Sequence, residues 1–211
     1  MSSKKLLALF TPAVIVVAID QLTKWIIRTS PEYHRLDVIE GWLAFYYTQN
    51  SGMAMGIDIL STPVVSSISI VATIGILVYL LYTMEKATIG YLLFMGLVLG
   101  GALGNITDRL IMGYIEGYGG LLDGHVVDFI HFNLEINDWP VFPYIFNVAD
   151  MAISVSIISL LVFGKKLIPV DDVEEETVSE EAGTQTEAAD AEVVGNEDAT
   201  EPSDQDIEKS P

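Results

Sequence analysis

Ile89-Gly-Tyr-Leu-Leu-Phe-Met-Gly-Leu-Val-Leu-Gly-Gly-Ala-Leu-Gly-Asn-Ile-Thr-Asp-Arg-Leu110 runs for sixteen residues without a charge or an amide, then ends on Asn105, Asp108 and Arg109. A bilayer core takes roughly 20 mostly apolar residues per crossing helix. A helix apolar on every face is suited to lipid or to a large core, not to a water-facing surface. The stretch therefore reads as a membrane span. Three others share its character: about Leu6–Ile27, Val64–Tyr82 and Pro143–Phe163. Gly96, Gly100 and Gly104 recur every fourth residue, with Gly101 beside them. Small residues at this spacing let helix backbones approach closely, so a packing seam is expected, with ligand contact at Gly101 or Gly104 as the alternative.

Four spans put both ends of the chain on one side. Lys4 and Lys5 precede the first span, Lys86 lies between the second and third, and Lys165 and Lys166 follow the fourth. Arg28 and Arg35 oppose them. By the positive-inside rule both termini are cytoplasmic. The first span has a long apolar run and no small-residue cleavage site after it, so it reads as an uncleaved anchor. The formal charge of −19 is unevenly spread: residues 170–211 hold 16 of the 29 acidic residues and one of the ten basic ones. That tail has no aromatic residue and too little apolar surface to offset chain entropy, so it is expected to be disordered, acidic and solvated. Two units follow: a membrane domain over 1–169 and a cytoplasmic tail over 170–211. The acidity and the lack of a basic stripe exclude nucleic-acid binding. The chain has no cysteine, which excludes disulfides, thiolate catalysis and Cys-ligated zinc.

Ionisable residues inside spans are costly and usually functional. Asp20 and Lys24 lie late in span one, Asn105, Asp108 and Arg109 late in span three, and Asn147 and Asp150 early in span four. The topology puts all of them near the outer interface, while the inner halves are almost purely apolar. A channel or proton relay needs polar groups through the full depth. This distribution describes a site open to the outer face or the outer leaflet. Asp20 and Lys24, four residues apart, also suit a simple ion pair, and Arg109 suits snorkelling to headgroups.

The segment His125–Ile136 alternates branched and aromatic residues and reads as a strand just outside the membrane. Val126, Ile130, Phe132, Leu134 and Ile136 then share a face with Asp128. A lone carboxylate on an apolar face is costly unless it is partnered or used. Arg109 is the structural partner to consider. On a strand Asp128 points away from His125 and His131, which disfavours a metal site. The serine-hydrolase elbow and the zinc-protease His-Glu-x-x-His motif do not occur. Asp128 and Asp150 remain as candidates for chemistry. Two adjoining carboxylates cannot both ionise cheaply, and a pair sharing one proton can hydrolyse a peptide without a metal or covalent intermediate.

Asp20-Gln-Leu-Thr-Lys24, Asn50-Ser-Gly-Met-Ala54, Gly101-Ala-Leu-Gly-Asn-Ile-Thr-Asp-Arg109, Val127-Asp-Phe-Ile130 and Phe146-Asn-Val-Ala-Asp150 together resemble the ordered signature of the lipoprotein signal peptidases (signal peptidase II). The resemblance implies an all-α membrane protein: four transmembrane helices carrying a small extracytoplasmic β-rich cradle, with the acidic tail as an addition. It implies that Asp128 and Asp150 are an aspartic dyad. It further implies that Asn50, Gly101, Asn105, Arg109 and Asn147 line the substrate site, supported by Asp20 and Lys24. The implied substrate is a prolipoprotein in the cytoplasmic (inner) membrane, among membrane lipids, cut just before its diacylglyceryl-modified cysteine. No metal or cofactor is implied, and globomycin is the expected inhibitor. The aromatic, then small-residue, stretch Val38–Ile57 is expected to form a platform or flap over the cleft. Two segments, Tyr114–Gly124 and Asn133–Tyr144, are longer than in the family pattern.

Overall fold

The computed structural model describes residues 2–52, 60–137 and 139–167. The acidic stretch 170–211 and the end of the Val38–Ile57 segment lie outside the described residues. Four helices are long and apolar enough to cross a membrane: α1 (Ser3–Thr29), α2 (Thr62–Thr83), α3 (Ile89–Ile115) and α4 (Val148–Leu167). Many of their large apolar side chains face outward, Val71 at 70% and Leu161 at 80% exposure. In hydrocarbon such exposure costs nothing, because lipid tails are as apolar as the side chains.

Helix α3 packs against each of the other three. Gly96 and Gly100 meet the α1 backbone at Leu9 and Ala13, while Gly101 meets α4 at Ala149 and Ile153. A Cβ on Gly100 would sit 2.7 Å from the Ala13 carbonyl oxygen, and one on Gly101 would sit 2.5 Å from that of Ala149. The glycine repeat is thus a two-sided packing seam. At the far end from the polar residues, Leu9, Leu80, Met84, Leu92 and Leu99 close an apolar core between α1, α2 and α3.

Two boundaries differ from those expected from hydropathy. Helix α3 does not stop at Leu110 but continues to Ile115, where Gly117 takes a left-handed conformation (φ 75°) and the Tyr118 N–H reaches the Gly113 carbonyl at 3.1 Å. This is a Schellman stop, and it makes the first part of the Tyr114–Gly124 segment helical. The rest folds back on α3, with Gly124 N–H donating to the Arg109 carbonyl at 3.1 Å. Helix α4 begins at Val148, not at Pro143, because Ile145–Phe146 is taken into a sheet.

That sheet is antiparallel, with β1 (Arg35–Ile39), β2 (Leu43–Asn50), β3 (Val126–Phe132) and β6 (Ile145–Phe146) in the order β1-β2-β3-β6. A separate hairpin pairs β4 (Glu135–Ile136) with β5 (Trp139–Pro140). The single strand expected over His125–Ile136 therefore breaks after Phe132, where Asn133 N–H turns to the Trp42 carbonyl at 2.9 Å. Nor does β3 have one covered and one open face, since Val126, Val127, Asp128 and Phe129 are all buried. It is an inner strand packed against α1 and α3 as well as its neighbours.

Candidate active site

The pairing of β3 with β6 sets the site. Ile130 lies opposite Phe146, so the chain passes directly from the sheet into Asn147 and the first turn of α4 beside Asp128. On the other side Thr48 faces Asp128 and Asn50 faces Val126, which brings β2's last residue to the same place.

Asn147 and Asp150 cap α4 reciprocally. The Asn147 carbonyl oxygen Oδ1 accepts the Asp150 N–H at 3.0 Å, and Asp150 Oδ2 accepts the Asn147 N–H at 3.2 Å. This capping box satisfies donors that a helix start otherwise leaves open. The same Asn147 then donates from Nδ2 to Asp128 Oδ1 at 2.6 Å and to Asn105 Oδ1 at 3.1 Å. Asn105 Nδ2 donates in turn to Asp150 Oδ1 at 2.8 Å. Asn50 Nδ2 donates to Asp128 Oδ2 at 3.2 Å, its orientation fixed by the Gly52 N–H on its Oδ1 at 2.9 Å. Both carboxylates are thus held by side-chain amides, and Asn147 touches both.

Asp128 is 2% exposed. Burial first, and the Asp150 charge second, push its carboxyl up to about 7, against the opposing donors Asn50 and Asn147 and the charge of Lys24. One member of such a pair keeps a proton near neutrality while the other is free to ionise, which is the state required for acid–base work on one bond.

Behind the amides lies an ion cluster. Lys24 Nζ contacts Asp20 Oδ2 at 2.9 Å, Asp108 Oδ2 at 2.8 Å and Asn105 Oδ1 at 3.0 Å. Spacing alone points to the Asp20–Lys24 pair. It does not point to the third member, Asp108, nor to Gln21, which donates to Asp108 Oδ1 at 2.9 Å. Beyond their place inside the quoted motifs, their sequence signal is a polar residue in an apolar span. Gly101 stands in the α3–α4 seam described above. Arg109 makes no ion pair with Asp128 among the described residues. Its Nε is buried without a partner there, in the field of Asp150, Asp108 and Asp128. The two histidines turn elsewhere, His125 against the Tyr118 ring at 4.9 Å and His131 towards Tyr46 at 6.4 Å.

Comparison with known proteins covers the same elements. Residues 12–164 match the family described as signal peptidase (SPase) II. The lipoprotein signal peptidase of Chlorobium phaeobacteroides is 33% identical over 178 residues, 80% of this chain and 96% of that protein. The one from Moorella thermoacetica is 38% identical over 149 residues, 70% of this chain and 86% of its own. A solved bacterial membrane enzyme, determined by the in meso method at 2.3 Å resolution, superposes with a TM-score of 0.56 at 32% identity, covering 74% of this chain and 86% of that one. The match spans all four helices and the sheet that joins them to the two carboxylates: the chain belongs to the signal peptidase II family.

Proposed function

We propose that this protein is an aspartic endopeptidase that removes signal peptides from prolipoproteins, cutting the bond before the diacylglyceryl-modified cysteine. The observation that carries the reading is the amide-bridged pair, Asp128 and Asp150, joined through Asn147 with Asp128 buried to 2%. In the reaction the ionised carboxylate takes a proton from water as the water attacks the scissile carbonyl. The protonated carboxyl hydrogen-bonds the carbonyl oxygen, and a proton passes to the leaving amine as the C–N bond breaks. The two groups titrate as a unit, so the shared proton belongs to the pair. Asn50, Asn105 and Asn147 orient the carboxylates. Arg109, whose buried Nε has no partner among the described residues, stands beside the pair as a cation for the substrate site. Residues 1–169 constitute the peptidase domain.

The substrate's acyl chains lie in the outer leaflet, which brings its cysteine to the depth of the polar cluster at the outer interface of the inner membrane, with both termini cytoplasmic. Asp128→Asn and Asp150→Asn are each expected to abolish cleavage of a diacylglyceryl-modified precursor peptide in vitro while leaving membrane insertion intact. Globomycin is expected to inhibit the parent protein. Cleavage retained by either variant would remove the dyad.

A further inference from the structure

Asp108, Lys24 and Asp20 are 0%, 1% and 0% exposed, and the hydrolytic scheme uses none of them. An ionic trio in an apolar bundle is weak grounds for stability, because well-packed apolar side chains often do as well. What distinguishes this one is what its ends hold. Asp108 Oδ2, which takes the Lys24 ammonium at 2.8 Å, also accepts the Val127 N–H at 3.1 Å. Val127 immediately precedes Asp128. At the other end Asp20 Oδ2 takes the same ammonium at 2.9 Å, and its Oδ1 accepts the Ala149 N–H at 3.0 Å. Ala149 immediately precedes Asp150. The backbone beside each carboxylate is thus tied to one acid, and a single cation ties the two acids together. The surrounding glycines leave room for this: a Cβ on Gly104 would lie 2.6 Å from Asp20 Oδ2.

We infer that Asp108, Lys24 and Asp20 form a positioning bridge that sets the separation of Asp128 and Asp150, with the reach of Asp108 to Val127 as its critical dimension. This rests on the reading of Asp128 and Asp150 as the catalytic pair. Sheet pairing alone fixes β3 against β6 only as far as Ile130 and Phe146. Beyond that point Asn147 reaches across from Nδ2 to the Val127 carbonyl at 3.3 Å and to Asp128 Oδ1 at 2.6 Å, and the bridge adds a second tie from α3 and α1. Charge-assisted hydrogen bonds are short and directional, which suits them to holding a distance.

The test separates reach from charge in the full-length protein. Asp108→Asn keeps the length and an oxygen acceptor and loses the charge. Asp108→Glu keeps the charge and adds one methylene. Both are assayed with a synthetic diacylglyceryl-cysteine precursor peptide, each scored per folded, monodisperse protein. Misplacement of about 1 Å costs on the order of 100-fold in rate, so Asp108→Glu is expected to lose about that much in kcat with KM nearly unchanged. Asp108→Asn is expected to keep kcat within about tenfold, since its acceptor stays in place. Amide exchange at Val127 should quicken in the Glu variant. An ion pair serving only charge balance predicts the reverse order. The bridge is overturned by Glu equalling or exceeding Asn in kcat, by a loss confined to KM, or by Asn failing to fold where Glu folds. Asp128→Asn and Asp150→Asn run in parallel. Cleavage retained there fails the dyad, whereas inactive dyad variants beside an active Glu variant fail the bridge alone.

Discussion

Asn147 accepts the Asp150 backbone N–H on Oδ1 and donates from Nδ2 to the Asp128 carboxylate, while its own backbone N–H donates to the Asp150 carboxylate, so one residue binds both acids. In sequence, Asn147-Val-Ala-Asp150 has the form of an ordinary capping box. Only the pairing of β3 with β6 turns that cap towards a second carboxylate. Asp128 is the more legible of the two, since a lone acid in an alternating apolar run is anomalous on pattern alone. Its environment makes a pH prediction. It is faced by Asp150 from α4, Lys24 from α1, Arg109 from α3, and the amides of Asn50 and Asn147, with burial the largest influence and the net result a carboxyl raised to about 7. An unfolded carboxyl of this type titrates near pH ~3.9. The native state therefore holds the proton more tightly than the unfolded chain. Its contribution to stability is complete below the unfolded value and is lost as pH rises through about 7. Thermal midpoints in detergent should fall from about pH 4 to about pH 7 in the parent and level off above it, and this component should vanish in Asp128→Asn. Cleavage should decline as pH rises above about 7 and the pair loses its shared proton.

At the scale of elements, hydropathy locates every span, because a bilayer demands length and apolarity whatever the tertiary fold. It misplaces the ends. Ile145–Phe146 is apolar enough to extend a helix but is captured by Ile130 and His131 in β3, and non-local pairing leaves no trace in local composition. The far end of α3 escapes for the opposite reason: Asp108 and Arg109 look like a stop when read by polarity. They lie inside the helix, which runs on to Ile115 and is stopped by the left-handed Gly117 beyond it. The glycine repeat is legible as packing, and its faces divide between α1 and α4. Gly100→Ala should lose roughly 1–3 kcal/mol, because the new methyl meets the Ala13 backbone, which cannot step aside as a flexible side chain can. Gly75→Ala in α2 meets nothing within 4 Å and should leave unfolding nearly unchanged or slightly delayed. Thermal unfolding of the two variants side by side checks the assignment; equal effects would contradict it.

For the whole molecule, the polar residues scattered over three spans and two strands form one continuous hydrogen-bonded network from Asn50 through Asp128, Asn147, Asn105 and Lys24 to Asp20 and Asp108. The sequence indicates that these groups share a depth, since orientation follows from counting spans. It does not indicate which atoms meet, because side chains on different helices find one another through packing angles that no spacing rule encodes. Asp108 is the clearest case. It lies four residues beyond Gly104, and reads as one more polar residue at the end of a span until its neighbours on α1 and β3 are in place.

The helices themselves are unequal. Helices α1 and α3 have 27 residues each, whereas α2 has 22. At about 1.5 Å per residue the long pair reaches about 40 Å and α2 about 33 Å, the latter close to an average hydrocarbon thickness. A bilayer matched to α2 would leave the long pair rising beyond it, with Arg28 and Glu116, 3.7 Å apart, near their ends. Asp150 lies in the first turn of α4. A thicker membrane would submerge that turn, and a thinner one would lift it into headgroups. Reconstitution in phosphatidylcholine vesicles of graded acyl length should give fastest cleavage near a core of about 30 Å. The rate should fall on the thick side as the carboxylate is drawn below the water it must reach: lipid length acts as a depth gauge for the reaction.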